Sequence, residues 1–475
     1  MTVYILGGGP TGLALAHSLA GNSDIFFVVI EREGAIGGLA KTVQWKDYGF
    51  HDLGPHKIFI LDKDLMSRVE SLLPSEDWLT REKKSSIYMK GHFLPYPPSP
   101  LSLASVYGLI NFVGMVLDYG KARIHNLIYS RTVNTFEDDL VNRLGCKLYE
   151  ALFKPIAMKL WGYPSNLDVK LSKGRVQTPS LTEVISRLLK IRSSSSFEAL
   201  NFRYPKGGIQ KIWEAIVFKT KNQGTYFLNH KIEKIIVENN KVCKIIYKDK
   251  VTGKEKEARV KVDDFLFSTI PLLKLTEIMG NAITIDTKEC IKKIIQLNDL
   301  ILVFLKIDKT SLLDESWVFV PDPEIIFHRL SEQESFDLDM TPGGSIICCE
   351  IMSNETRRLN EMTDKELIAA AKKGLHDMGY KSFSVIDQKV MRLPASYPVF
   401  RPGFEPDLEK ILDELDLIEN FRTIGRQGAF NYIGTLDAMD IGYGAARWFM
   451  NRRGNNSVRT WKEERQRTKH YPVLD

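Results

Sequence analysis

Near the start of the chain, Gly7-Gly8-Gly9-Pro10-Thr11-Gly12 sets glycines at positions 7, 9 and 12, the spacing of a GxGxxG turn. The apolar run Val3–Leu6 before it reads as a strand, and Leu13–Ala20 after it as a helix. In such a unit the first glycine permits the tight turn, and the second lets the backbone approach a pyrophosphate. The third lets helix and strand pack closely. Free N–H groups and the helix dipole then hold the anion. Glu31 stands 19 residues after Gly12, at the end of the apolar run Ile25–Ile30, with Arg32 beside it as a further candidate contact. A carboxylate there accepts hydrogen bonds from both ribose hydroxyls and repels a 2′-phosphate, which disfavours NADP.

The turn alone does not separate FAD from NAD. Two more glycine segments follow the second strand: Gly37-Gly38-Leu39-Ala40-Lys41-Thr42, and Gly49-Phe50-His51-Asp52-Leu53-Gly54-Pro55-His56. They suit a backbone that must pass close to a long, flat cofactor. At these residues the chain resembles the FAD-containing superfamily of UDP-galactopyranose mutase, protoporphyrinogen oxidase and the flavin amine oxidases. Gly37-Gly38-Leu39-Ala40 with Gly54-Pro55-His56 looks most like the mutase branch, since amine oxidases usually carry Arg where this chain has Leu39. The resemblance implies FAD as cofactor and places His56 against the flavin near N5. A turn histidine with a structural hydrogen bond is the plainer alternative.

Further matches run in order along nearly the whole chain. Leu148–Lys154 and Lys159-Leu160-Trp161-Gly162 resemble the mutase helix and its tryptophan near the substrate. Phe202–Gly208 and Ser268-Thr269-Ile270-Pro271 resemble the segments where the chain re-enters and leaves the FAD domain, and Tyr397-Pro398 another substrate-side segment. Gly425-Arg426-Gln427-Gly428-Ala429-Phe430-Asn431-Tyr432 is similar to the last FAD motif, in which the arginine lies by the flavin and the tyrosine reaches a substrate diphosphate. Asp437-Ala438-Met439 then opens a helix whose N-terminus would face the flavin ribityl and pyrophosphate.

A sugar-nucleotide carries a diphosphate, and arginine's planar fork suits it. Arg175, after the Trp161 helix, and Arg329, before a strand, resemble the mutase arginine segments in type and order. An ordinary ion pair is the alternative for each, and the core is the usual place for a tryptophan such as Trp161. Trp161 and Tyr397 could wall the site. One departure stands out. Mutases tend to carry a second histidine after Gly-Pro-His, where this chain has Lys57-Ile58-Phe59-Ile60.

The resemblance leads to a mutase-like enzyme acting on a nucleotide-sugar. A reduced flavin would attack the anomeric carbon through N5, with no net redox change and with NAD(P)H or another reductant as electron source. The rival is an FAD oxidoreductase of the protoporphyrinogen oxidase, amine oxidase or desaturase kind, moving hydride from substrate to flavin. A third reading is a flavin-binding scaffold without catalysis.

These residues need elements to hold them. The expected fold is α/β: a Rossmann-like FAD-binding domain of the GR2 type, with a helical insertion and a β-sheet substrate domain. The FAD domain is expected from residues 1–75, 200–280 and 415–450. A mostly helical insertion is expected over 76–199, with Ser193–Ser196 as a boundary loop, and a sheet-containing substrate domain over 281–414. The basic tail 451–475 is expected to be solvated or loosely docked. Asn239-Asn240 predicts a hairpin turn. The 475 residues carry a formal charge of only +6, which does not argue for nucleic acid. Five cysteines without a CxxC pair indicate neither a disulfide framework nor a metal site, and suit a reducing cytoplasm. No signal peptide is read at the start. The apolar stretch Leu101–Leu117 is short for a transmembrane span and reads as a buried or surface-lying helix, leaving room for shallow membrane contact.

Overall fold

Short apolar runs form the parallel strands of a five-stranded sheet in the computed structural model, which describes residues 1–59, 62–129, 132–175, 201–452 and 460–471. The strand order is Gly224–Phe227, Phe26–Ile30, Thr2–Leu6, Phe265–Ser268, Phe421–Thr423. Every pairing is parallel, with Val3 beside both Phe27 and Phe265. A parallel sheet needs both faces covered, and the strands are accordingly apolar on both sides. Val3 and Ile5 face a core with Leu15, Ala445, Phe449 and Trp461, whereas Tyr4 and Leu6 face the larger core on the opposite side.

The helix Pro10–Leu19 leaves the first strand and packs against Thr435–Asn451. Small residues allow this. A Cβ added at Gly442 would come within 2.9 Å of Leu15 N and 3.0 Å of Ala14 Cβ.

A second, seven-stranded sheet runs Val385–Val399, Gln296–Ile307, Ser345–Ser353, Arg329–Glu332, Trp317–Phe319, Ser85–Met89, His92–Pro95. All its pairings are antiparallel except Trp317–Phe319 with Ser85–Met89. The last two strands correct the expectation of a mostly helical stretch from residue 76. Trp78–Glu82, Ser85–Met89 and His92–Pro95 are strands: the first two pair with segments far along the chain, and the third pairs back onto the second as a hairpin. Helices take over from Pro100 to Arg175. Ser193–Ser196 lies outside the described residues.

The hairpin His230–Glu238 with Lys241–Asp249 turns through Asn239 and Asn240, both at positive φ. The tail is not loosely docked in its described part. Helix Trp461–Arg467 seats Trp461 against Trp448, with ring centroids 4.7 Å apart, and Arg465 meets Asp416 at 3.3 Å. One indole and one buried cation outweigh the polar average of this segment.

Candidate active site

The opening turn is built by crowding. Gly7 holds φ at 111°, in the region that favours glycine, and its N–H donates to Ile30 O at 2.9 Å. Gly9 and Gly38 face each other so closely that a Cβ at Gly38 would lie 3.1 Å from Gly9 Cα. Gly9 caps the helix and Pro10 starts it, so the N–H groups of Thr11 and Gly12 have no intrahelical acceptor and face outward from the helix end. The Glu31 carboxylate accepts from Gly8 N–H at 2.7 Å and Glu33 N–H at 2.8 Å, which holds it beside the turn. Arg32 is exposed and pairs with Glu33 at 2.8 Å.

The distant segment meets this turn. Gly425, at φ 86°, approaches Thr11 until a Cβ would lie 2.9 Å from Thr11 Oγ1. Gly428 packs on Ser268 and Thr269, and Thr269 N–H donates to Leu6 O at 2.8 Å. The chain's two ends therefore share one strand-end crevice, the place where open α/β sheets bind ligands. Gly434 caps the second helix, and the Asp437 carboxyl accepts from Gly434 N–H at 3.2 Å. Burial pushes Asp437 up to about 6. Ala438 is buried, and Met439 lies in the core with Leu13, Ala14 and Trp213. Met439 can offer a ligand only its backbone.

Arg426 sits among aromatic rings. Its guanidinium carbon is 5.1 Å from the Tyr397 ring centroid and 4.9 Å from that of Tyr432, within cation–π range. Tyr397 and Tyr432 meet edge-on at 5.6 Å, and Trp161 meets Tyr432 edge-on at 6.4 Å. Arg426 donates to Ile433 O at 2.6 Å, while its Nε is buried without a hydrogen-bond partner. Three segments predicted separately thus converge: the Trp161 turn, the Tyr397 strand and the Arg426–Tyr432 loop. Trp161 is also core, since its ring contacts Phe136 and it is 3% exposed. Buried polar side chains hold its turn: Asn298 Nδ2 donates to Leu160 O at 2.9 Å, and Asn354 Nδ2 to Lys159 O at 2.9 Å.

His56 faces the same region. Its Nε2 is buried without a hydrogen-bond partner, and burial, with Arg329 next in weight, lowers its pKa to about 4. The imidazole is therefore neutral near pH 7. Beneath its turn lies Arg329, whose Nη2 donates to Glu350 Oε2 at 2.7 Å in a two-pronged pair; both side chains are at most 8% exposed. Arg329 was expected to receive a diphosphate, but this face of its guanidinium is committed to Glu350. A Cβ at Gly54 would lie 3.4 Å from Glu350 Oε2, so the pair supports Gly54-Pro55-His56 from below. Arg175 ends the helix Val169–Arg175, and its side chain lies outside the described residues. Leu39 is partly exposed beside the Gly37-Gly38 turn.

A polar network behind this turn escaped the sequence reading. Asp52 is buried, accepts from Thr42 Oγ1 at 2.6 Å and Tyr204 Oη at 2.7 Å, and donates its N–H to Gln333 Oε1 at 2.9 Å. Burial raises its carboxyl to about 7. Asp52 stands in a quoted glycine segment, but its partners come from residues 42, 204 and 333, which no local pattern joins.

The glycine turn, the Glu31 carboxylate and the outward N–H groups together fit a dinucleotide. A Cβ at Gly38 would crowd Gly9 and one at Gly425 would crowd Thr11, and the buried His56 Nε2 and Arg426 Nε have no hydrogen-bond partner. Residues 5–70 match the NAD(P)-binding Rossmann-like domain family. The chain as a whole has the fold of a group of solved enzymes. It superposes on reduced UDP-galactopyranose mutase with a TM-score of 0.81 at 18% identity, covering 98% of this chain and 97% of that one. A protein of Exiguobacterium sp. 255-15, provisionally named protoporphyrinogen oxidase, gives 0.72 at 15% identity over 95% and 99%. Cyclohexylamine oxidase from Brevibacterium oxydans IH-35A gives 0.64 at 13% identity over 94% and 98%. At these identities the likeness is one of fold.

Proposed function

We propose that this protein is an FAD-dependent enzyme with a mutase-like site for a nucleotide-sugar. The observation that carries the reading is the meeting of Gly9, Gly38, Thr11 and Gly425 on one crevice, with Arg426 and His56 further in. Residues from the stretches 1–75, 200–280 and 415–450 would act as one FAD domain. The outward N–H groups of Thr11 and Gly12 would hold the pyrophosphate, and Glu31 the adenosine ribose. The N-terminus of Thr435–Asn451 would take the ribityl side. Bound there, FAD would supply either a nucleophilic ring nitrogen or a hydride acceptor. Neutral His56 and the Arg426 guanidinium would set the polarity beside the ring. Trp161, Tyr397 and Tyr432 would wall the substrate and exclude water, and Tyr432 with Arg175 would meet a diphosphate. The five unpaired cysteines suit a cytoplasmic setting.

One observation favours the second reading, net oxidation of a substrate. The Arg329–Glu350 pair leaves this crevice poorer in cations for a diphosphate than the mutase reading asks. A single experiment separates the two. Purified protein is reconstituted with FAD, reduced with dithionite and incubated with a panel of UDP- and GDP-sugars. Ring-isomer products support the mutase reading. Bleaching of oxidised flavin by a substrate, without ring isomers, supports the oxidase reading. Failure to retain FAD overturns both.

A further inference from the structure

Helix Leu109–Ile128 is apolar on two faces. One side buries Met115 and Tyr119 against the protein. The opposite side carries Ile110, Val113, Leu117, Ile124 and Ile128, at the three- and four-residue spacing that lines one helix face, and all five are exposed. Ile110 is 88% exposed and Ile124 61%. Twenty residues give a stripe about 30 Å long. A run of this extent goes beyond the scattered apolar residues of an ordinary surface. No helix among the described residues is long and apolar enough to cross a membrane, so the stripe would lie on its partner rather than pass through it.

Charge selects the partner. Lys121 is exposed within the stripe, between Leu117 and Ile124, and Arg123 follows it. Lys90 reaches the Tyr107 ring at 4.3 Å, just before the helix begins, and exposed Lys147 approaches Gly114 on its flank. The helix has one acid, Asp118, which accepts the Lys147 backbone N–H at 2.8 Å. An apolar stripe rimmed and interrupted by cations fits the boundary of an anionic bilayer, where lysine stems lie along acyl chains and ammonium groups reach phosphates. A second copy of the chain fits poorly. Lys121 stands near mid-helix, where a two-fold packing would set it against apolar surface or its own copy.

We propose that this helix seats the protein on the surface of an anionic membrane. The proposal is independent of the flavin reading. Its test is co-sedimentation of the full-length protein with vesicles of phosphatidylcholine alone or mixed with phosphatidylglycerol. Wild-type protein should pellet with the mixed vesicles, less so as salt is raised. The triple variant Ile110→Ser, Leu117→Ser, Ile124→Ser should bind about 100-fold more weakly, the factor three partly buried aliphatic side chains supply. The pair Lys121→Glu, Arg123→Glu should lose the preference for phosphatidylglycerol, which decides the matter should the triple variant misfold. The proposal is overturned by wild-type protein that stays in the supernatant, or by variants that bind as wild type does. It is also overturned by a wild-type dimer in sedimentation velocity that the triple variant turns into monomer, since a second copy would then cover the stripe.

Discussion

Replacing Arg329 with Met tests whether this arginine supports the fold or waits for a substrate. In the structure it makes a two-pronged pair with Glu350, whose side chain is 1% exposed. Removing the guanidinium leaves a carboxylate in a site with almost no water. Breaking one side of such a pair costs about 3–5 kcal/mol, because the remaining charge is desolvated and unpaired. Replacing both partners, as Arg329→Met with Glu350→Leu, should bring stability to within about 1 kcal/mol of wild type or above it, since hydrocarbon of similar volume needs no partner. An entropy of unfolding of about 1 kcal/mol/K for the whole chain turns the single loss into a fall in Tm of about 3–5 °C. The assay is thermal unfolding followed by circular dichroism on both variants and on Glu350→Gln, with bound flavin quantified on each. The single variants should melt early and the double variant near wild type. An Arg329→Met protein that melts with wild type but shows a tenfold higher KM for a nucleotide-sugar would refute this reasoning and return Arg329 to the substrate.

Two further outcomes follow from the same geometry. Gly442→Ala puts a methyl group against Thr11 and Ala14, which should part the two helices that flank the glycine turn and, on the proposed function, lower bound flavin per polypeptide; full retention would sink the account. Burial holds the Asp52 carboxyl at about 7, above its value in an unfolded chain, so its contribution to stability is full below about pH 4 and is lost as pH rises through 7. Asp52→Asn should flatten that part of the Tm–pH profile, and an unchanged slope would assign the dependence to another group.

Much of the glycine-turn end was legible because it is local. Gly7 to Gly12 lie within one turn, Glu31 follows the next apolar run, and the Asn239-Asn240 pair marked the hairpin. Steric demands of that kind act between residues a few positions apart, so the spacing alone carries them. Residues 78–95 were misread for the opposite reason. Ser85–Met89 pairs with Trp317–Phe319 and Trp78–Glu82 with Asn201–Pro205, His92–Pro95 folds back on Ser85–Met89, and a strand is only as stable as the neighbour it pairs with. The tail was misread because composition averages over Trp461 and Arg465, whose contacts with Trp448 and Asp416 decide its position.

The sequence by itself determined that a strand, a glycine turn and a helix open the chain and that a carboxylate, Glu31, follows the second apolar run. Only the tertiary structure decided which cations stay available. Arg329 and Arg426 look alike in a sequence, but Glu350, twenty-one residues beyond Arg329, takes up the first, while Tyr397 and Tyr432 ring the second and leave its Nε bare. A charge does its work according to what stands within a few ångströms of it, and that neighbourhood is set by how separate strands and loops pack, not by adjacency along the chain.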